Sequence, residues 1–133
     1  MPWIVPGSDA SLRAPWGPLG KDHPHPRAYG TMPEFYRRLT GRSGRPAICS
    51  REEAIARMTS VPADRFGIRG RGRIARGAYA DVVVWREADF AAQATFADPH
   101  RFARGVDCVM VNGVVSFRDG AFTGNRAGRL VES

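Results

Sequence analysis

The chain has 133 residues and a formal net charge of +7, enough for one ordinary domain with its own core but only about half of the roughly 250 residues of a complete (β/α)8 barrel. Lys21 is the only lysine, so arginine supplies nearly all the positive charge. Its scatter from Arg13 to Arg129, without interleaved stacking aromatics, argues against a nucleic-acid interface. No run of about 18 apolar residues could span a membrane, and no basic flank leads into an apolar stretch near Pro2 and Pro6, so a cytoplasmic location is expected.

Trp3-Ile4-Val5 reads as a short strand ended by Pro6-Gly7-Ser8-Asp9. Residues 10–30 are rich in Pro and Gly without apolar periodicity and read as a loop. A structureless stretch of about 20 residues inside a compact domain points to a functional segment, and this one carries His23 and His25. Thr31-Met-Pro33-Glu34 fits a capping box with a tolerated first-turn proline, which predicts a helix through Phe35, Tyr36 and Leu39 to near Gly41. Ser50-Arg-Glu-Glu53 is a second box, opening a helix in which Ala54, Ile55 and Met58 share one face. Pro62 opens a further short turn of helix that packs Phe66 and ends at Gly67.

Beyond Gly67 the period changes from helical to extended, which places a boundary near Ile68. Val82 to Trp85 is a continuous apolar run, suited to a strand buried on both faces. Residues 88–96 can hold a helical turn. Cys108 to Val111 and Val114 to Phe117 flank Asn112-Gly113, a pair that favours a type I′ hairpin, and Arg118-Asp119-Gly120 gives another turn. Cys49 and Cys108 lie far apart in no metal-ligand spacing, so neither a disulfide nor a catalytic thiol is expected.

Asp9 is the first candidate for chemistry. A carboxylate just past the C-terminal end of a barrel strand sits where such barrels place their catalytic groups; it can ligate a divalent metal or carry a proton, or it can simply close a turn. His23 and His25 form a His-x-His pair. On a strand such imidazoles point the same way and can share a metal, but here prolines separate and follow them in a loop, so His25 is expected to shape the loop, with metal ligation by the pair as the alternative. His100 is expected to pack against or cap a neighbouring turn. Asp81 reads as a hydrogen-bonding residue at a strand entry, with a catalytic carboxylate as the alternative. The Arg69-Gly-Arg71-Gly-Arg73 cluster reads first as an exposed connection and second as an anion-binding patch.

Several stretches taken together carry a family resemblance. Gly72-Arg-Ile74-Ala-Arg-Gly77-Ala-Tyr-Ala80-Asp81-Val-Val-Val84-Trp85 and Val109-Met-Val-Asn112-Gly113-Val-Val115 resemble the C-terminal end of the cyclic amidohydrolases. Lys21-Asp-His23-Pro-His25-Pro-Arg27-Ala-Tyr29-Gly30-Thr31 resembles a loop of the N-acyl-D-amino-acid deacylases (D-aminoacylases). Met58-Thr-Ser-Val-Pro62-Ala-Asp-Arg65-Phe-Gly67, Thr95-Phe-Ala-Asp98-Pro99-His100 and Thr123-Gly124-Asn-Arg-Ala-Gly128-Arg129 continue it in order over essentially the whole chain.

The resemblance implies an α/β fragment: the last strand and helices of a (β/α)8 metal-dependent hydrolase barrel, residues 1–67, then part of a small β-sandwich domain, residues 68–133. It implies a zinc-dependent hydrolase cleaving the amide of N-acyl-D-amino acids to a carboxylate and a D-amino acid. Asp9 would belong to the metal centre and act as general base and acid, and Arg27 would pair with the substrate's α-carboxylate. Ala10 stands where the family usually has Gly. The family's first-strand His-x-His, its cysteine and glutamate ligands and its two later metal histidines have no counterparts here. The chain is therefore expected to be inactive alone and to hold no zinc tightly. Three other readings stay open: a binding module completing a separately encoded N-terminal half, a nucleic-acid binder, and a non-functional gene remnant.

Overall fold

Proline and capping chemistry set the helices. In the structure, a computed structural model that describes residues 3–131, helix α1 spans Arg27–Leu39 and opens one turn before the Thr31 box. Pro26 occupies the N-cap, and its carbonyl accepts the N–H groups of Tyr29 and Gly30 at 3.2 and 3.0 Å. Proline's fixed φ pre-forms that first turn, so Thr31 is already inside the helix and its hydroxyl donates to the Arg27 carbonyl at 2.8 Å. Glu34, no longer needed as a cap, pairs with Arg38 at 2.8 Å. Pro33 consequently lies within the helix rather than in its first turn. Its missing N–H forfeits a backbone bond there.

Tyr36 and Leu39 of α1 are buried, and the Tyr36 ring meets Phe90 edge-on at 5.9 Å. Helix α2, Arg51–Met58, begins at the second box as expected. The Glu53 N–H donates to Ser50 Oγ at 3.1 Å, and the Ser50 N–H donates to Glu53 Oε2 at 3.0 Å. Of its expected apolar face Ala54 is fully buried while Ile55 is exposed. Helix α3, Ser60–Arg65, closes in a Schellman arrangement, Ile68 N–H to the Ala63 carbonyl at 2.8 Å and Gly67 N–H to the Asp64 carbonyl at 3.2 Å. Phe66 is exposed rather than packed, because so short a helix buries only Ala63.

Four antiparallel strands form one sheet in sequential order: β1 Val82–Trp85, β2 Val106–Val111, β3 Val114–Arg118 and β4 Ala121–Phe122. Asn112 and Gly113 (φ 49° and 81°) make the expected type I′ turn, closing on the pair Val111 and Val114. Asp119 and Gly120 (φ 50° and 84°) repeat it between β3 and β4. β1 is not buried on both faces. It is the edge of the sheet, with β2 as its neighbour, and Val83 and Val84 are each 49% exposed. Residues 88–96 form no helix; Ala91 makes an isolated antiparallel bridge with Arg104 instead.

Trp3, Ile4 and Val5 form no strand. A barrel strand satisfies its N–H and C=O groups through neighbours on both sides, and the sheet among the described residues does not include this segment. The described residues divide into two compact units: residues 3–5, 55–88 and 105–131 hold α3 and the sheet, and residues 6–54 and 89–104 hold α1 and most of the buried side chains. No helix among the described residues is long and apolar enough to cross a membrane.

Candidate active-site cleft

Asp9 stands where the chain leaves Pro6-Gly7-Ser8, at φ 47°. Left-handed backbone is uncommon for a residue with a side chain, though Asp tolerates it better than most. The strained position therefore falls on Asp9 itself and not on Ala10. Asp9 Oδ2 lies 2.9 Å from Arg27 Nη2, with side-chain exposures of 90% and 45%. An ion pair this open is worth under about 1 kcal/mol, so either partner exchanges readily for another charge. Both line a cleft of about 120 Å3 with Ser11, Arg13, Pro24 and His25.

The three histidines hold the loop that presents Arg27. The Arg27 backbone N–H donates to His25 Nδ1 at 3.0 Å, which makes His25 an acceptor at that nitrogen. Its ring packs edge-on against Phe96, 4.9 Å between centroids. His23 Nε2 lies 2.6 Å from the Phe96 carbonyl, to which it donates. His100 Nε2 donates to the Asp22 carbonyl at 2.8 Å, and its Nδ1 accepts the Tyr29 hydroxyl at 3.0 Å. Burial, outweighing the nearby Arg13 charge, raises the Tyr29 hydroxyl above its ordinary pKa, with Asp22 adding to the rise. Residues 22–29 are thus fastened to residues 96–100 by His23, His25, Tyr29 and His100.

Asp81 is a structural anchor. Its Oδ1 accepts the Asn112 N–H at 2.8 Å and its Oδ2 meets Arg71 Nη1. Arg71 also donates to Asn112 Oδ1 at 2.7 Å and lies 4.2 Å over the Tyr79 ring. Arg73 pairs with Asp64 at 2.8 Å; the hydrogen bond from Arg73, together with its charge, holds the Asp64 carboxyl below its usual pKa. The Arg69–Arg73 cluster is therefore a connection fastened by its own ion pairs. Arg13 had no sequence signal, because in a loop without periodicity spacing says nothing about where a side chain points.

Among the described residues no three of His, Cys, Asp and Glu come together as a metal-holding set. A hydrolytic zinc site ordinarily takes three protein ligands; here Asp9 faces a guanidinium, and His23, His25 and His100 are engaged in hydrogen bonds. The described residues by themselves do not fit a zinc centre.

The sequence profile of the amidohydrolase family matches residues 5–117. The chain belongs to that family. This amidohydrolase chain is 40% identical to a D-aminoacylase of Alcaligenes xylosoxydans xylosoxydans over 111 residues, 83% of the chain and 22% of the relative. Among solved structures it is similar to a D-aminoacylase with a TM-score of 0.77 at 38% identity, covering 84% of this chain and 23% of that one. It is also similar to an N-acyl-D-glutamate deacylase from Bordetella bronchiseptica, complexed with zinc and a phosphonate mimic of the tetrahedral intermediate. There the TM-score is 0.64 at 35% identity, with 74% of this chain and 20% of that one covered. The chain thus spans about a fifth of the length of these relatives.

Proposed function

We propose that this chain supplies the proton-transfer and substrate-carboxylate groups of an N-acyl-D-amino-acid deacylase, a hydrolase of linear amide bonds. Residues 1–67 correspond to the end of its barrel and residues 68–133 to part of its small β domain. The observation that carries the reading is the exposed Asp9–Arg27 pair at 2.9 Å, set in a loop whose sequence resembles that of the deacylases. A guanidinium fork grips a planar carboxylate through two charge-assisted hydrogen bonds, so Arg27 holds the α-carboxylate of the substrate. Asp9, released from Arg27 by that exchange, takes the proton of the attacking water and returns it to the leaving nitrogen. The products are a carboxylate and a free D-amino acid. The remaining ligands of a metal centre must come from outside these 133 residues, and the chain alone does not hydrolyse amides.

The test is a D-aminoacylase in which residues 5–117 of this chain replace the matching segment. It is expected to hydrolyse N-acetyl-D-amino acids and to leave the L-enantiomers intact. An Arg27→Gln version is expected to raise KM far more than it lowers kcat. An unchanged KM overturns the assignment of Arg27.

A further inference from the structure

We propose that Arg13 is a positioning residue for Asp9: its ion pair with Asp22 keeps the Asp9 segment in place once a bound carboxylate has drawn Arg27 away. The proposal rests on the reading that Asp9 and Arg27 serve a deacylase. Residues 6–13 form no helix or strand, so no backbone ladder holds them. Among the described residues, Asp9 and Arg13 are the only members of this stretch that make a hydrogen bond or an ion pair. Ala10, Ser11 and Leu12 between them are exposed. The polar ties of the segment are therefore two, one from Asp9 to Arg27 and one from Arg13 to Asp22.

The two ties differ in what can break them. Asp9–Arg27 is open to water, and a substrate carboxylate competes with Asp9 for the same guanidinium. Arg13 Nη1 lies 2.7 Å from Asp22 Oδ2, with side-chain exposures of 25% and 52%, and a partly buried pair is screened less than an open one. Asp22 is itself a fixed point. Its carbonyl accepts His100 Nε2 at 2.8 Å, and His100 Nδ1 accepts the hydroxyl of Tyr29 at 3.0 Å. Tyr29 belongs to α1, as Arg27 does. The contacts close a ring that runs from Asp9 through Arg13, Asp22, His100 and Tyr29 to Arg27 and back. Breaking Asp9–Arg27 opens the ring at one point and leaves Arg13 to hold the segment. Without Arg13 the next side-chain tie along the chain is the Trp16 ring against Phe102, 6.0 Å between centroids, three residues further from Asp9.

The consequence falls on proton transfer rather than on substrate binding. A general base acts only within hydrogen-bond reach of the proton it takes, and a longer free segment spreads the Asp9 carboxylate over more conformations. Arg27 is held separately, at the first residue of α1 with its N–H on His25. Loss of the Arg13–Asp22 pair therefore lowers kcat through Asp9 and leaves the grip on the α-carboxylate as it was.

The experiment measures the heteronuclear NOE, a report of backbone motion on the ps–ns scale, at the Ala10, Ser11 and Leu12 amides of the 133-residue chain. Arg27→Ala, which breaks the Asp9 tie, is expected to leave these amides as ordered as in the native chain. Adding Arg13→Gln is expected to make them mobile. Exchanging the charges, Arg13→Glu with Asp22→Arg, in the Arg27→Ala chain is expected to restore the order. Amides already mobile in the native chain or in Arg27→Ala alone, order that survives the added Arg13→Gln, or no recovery on charge exchange overturns the proposal. In the D-aminoacylase carrying residues 5–117, Arg13→Gln is expected to lower kcat about tenfold or more, the scale of a displaced catalytic group, while KM stays near the parent value. The charge exchange is expected to recover most of the loss. An unchanged kcat, or a loss that the exchange does not recover, overturns the role of Arg13 and leaves Arg27 standing. An unchanged KM in Arg27→Gln overturns the deacylase reading, and this proposal with it.

Discussion

His25 illustrates how much of the site depends on single acceptor atoms. Its Nδ1 takes the Arg27 N–H, at the first residue of α1, where the helix has no carbonyl to offer that donor. Replacing it by Ala leaves the donor without this partner and removes the contact with Phe96. The loss of one hydrogen bond costs about 1 kcal/mol. His25→Ala is therefore expected to speed hydrogen exchange of the Arg27 amide about fivefold, whereas His25→Asn, whose side-chain oxygen can accept the same N–H, restores most of the protection. Equal exchange in native and Ala proteins would remove His25 from the presentation of Arg27. Asp9 and Arg27 stood out in the loop sequence as candidates. Their direct pairing was not legible, because a loop of this kind encodes no side-chain direction.

At the scale of elements, legibility followed the strength of local chemistry. Asn112-Gly113 fixes its own turn, and Ser50–Glu53 fixes its own cap, so both formed where the sequence placed them. Thr31–Glu34 was an equally good box, but Pro26 starts the helix first. The apolar run of β1 gave the strand but not its place at the sheet edge, since edge or centre depends on which neighbours the chain provides. What joins α3 and its following loop to the hairpin is a polar network that no pattern announces.

Asp81 tests that network. Burial pushes its carboxyl up, but the Asn112 N–H and the Arg71 guanidinium together outweigh burial and hold it below the usual carboxylate range. The folded value lies below the unfolded one of about 3.9. Its stabilisation is thus complete above that value and is lost as pH falls through the folded pKa. The thermal midpoint of the native chain is expected to drop on acidification below about pH 4 more steeply than that of Asp81→Asn; parallel slopes would contradict the network. Gly72 tests the neighbouring contact. At φ 76° an added Cβ would lie 2.8 Å from both the Ala63 Cβ and the Thr59 carbonyl oxygen. Backbone strain and overpacking each cost about 1–3 kcal/mol, so Gly72→Ala is expected to lower stability by about 2–4 kcal/mol in urea unfolding. A loss below about 0.5 kcal/mol would mean that the loop does not pack on α3 as described.

For the whole molecule, Arg13, Arg27, Arg38, Arg71, Arg73, Arg86 and Arg101 each pair with a carboxylate, while the net charge stays at +7. The family was legible because its loop and hairpin motifs are local. The absence of a strand at Trp3–Ile4–Val5 was not, because a strand's existence depends on partners that no local motif contains. Buried large side chains are few, Tyr36, Leu39 and Phe90, and the chain covers about a fifth of its relatives.

The most direct test of the account is the kcat of the D-aminoacylase carrying residues 5–117 of this chain, measured with Asp9 and with Asp9→Asn at equal metal content. General acid–base groups contribute about 10²–10⁴-fold, so the substitution is expected to lower kcat by at least about 10²-fold while the Arg27-dependent KM changes little. Turnover within a few-fold of the parent would contradict the assignment of Asp9, and with it the claim that this cleft belongs to a deacylase active site.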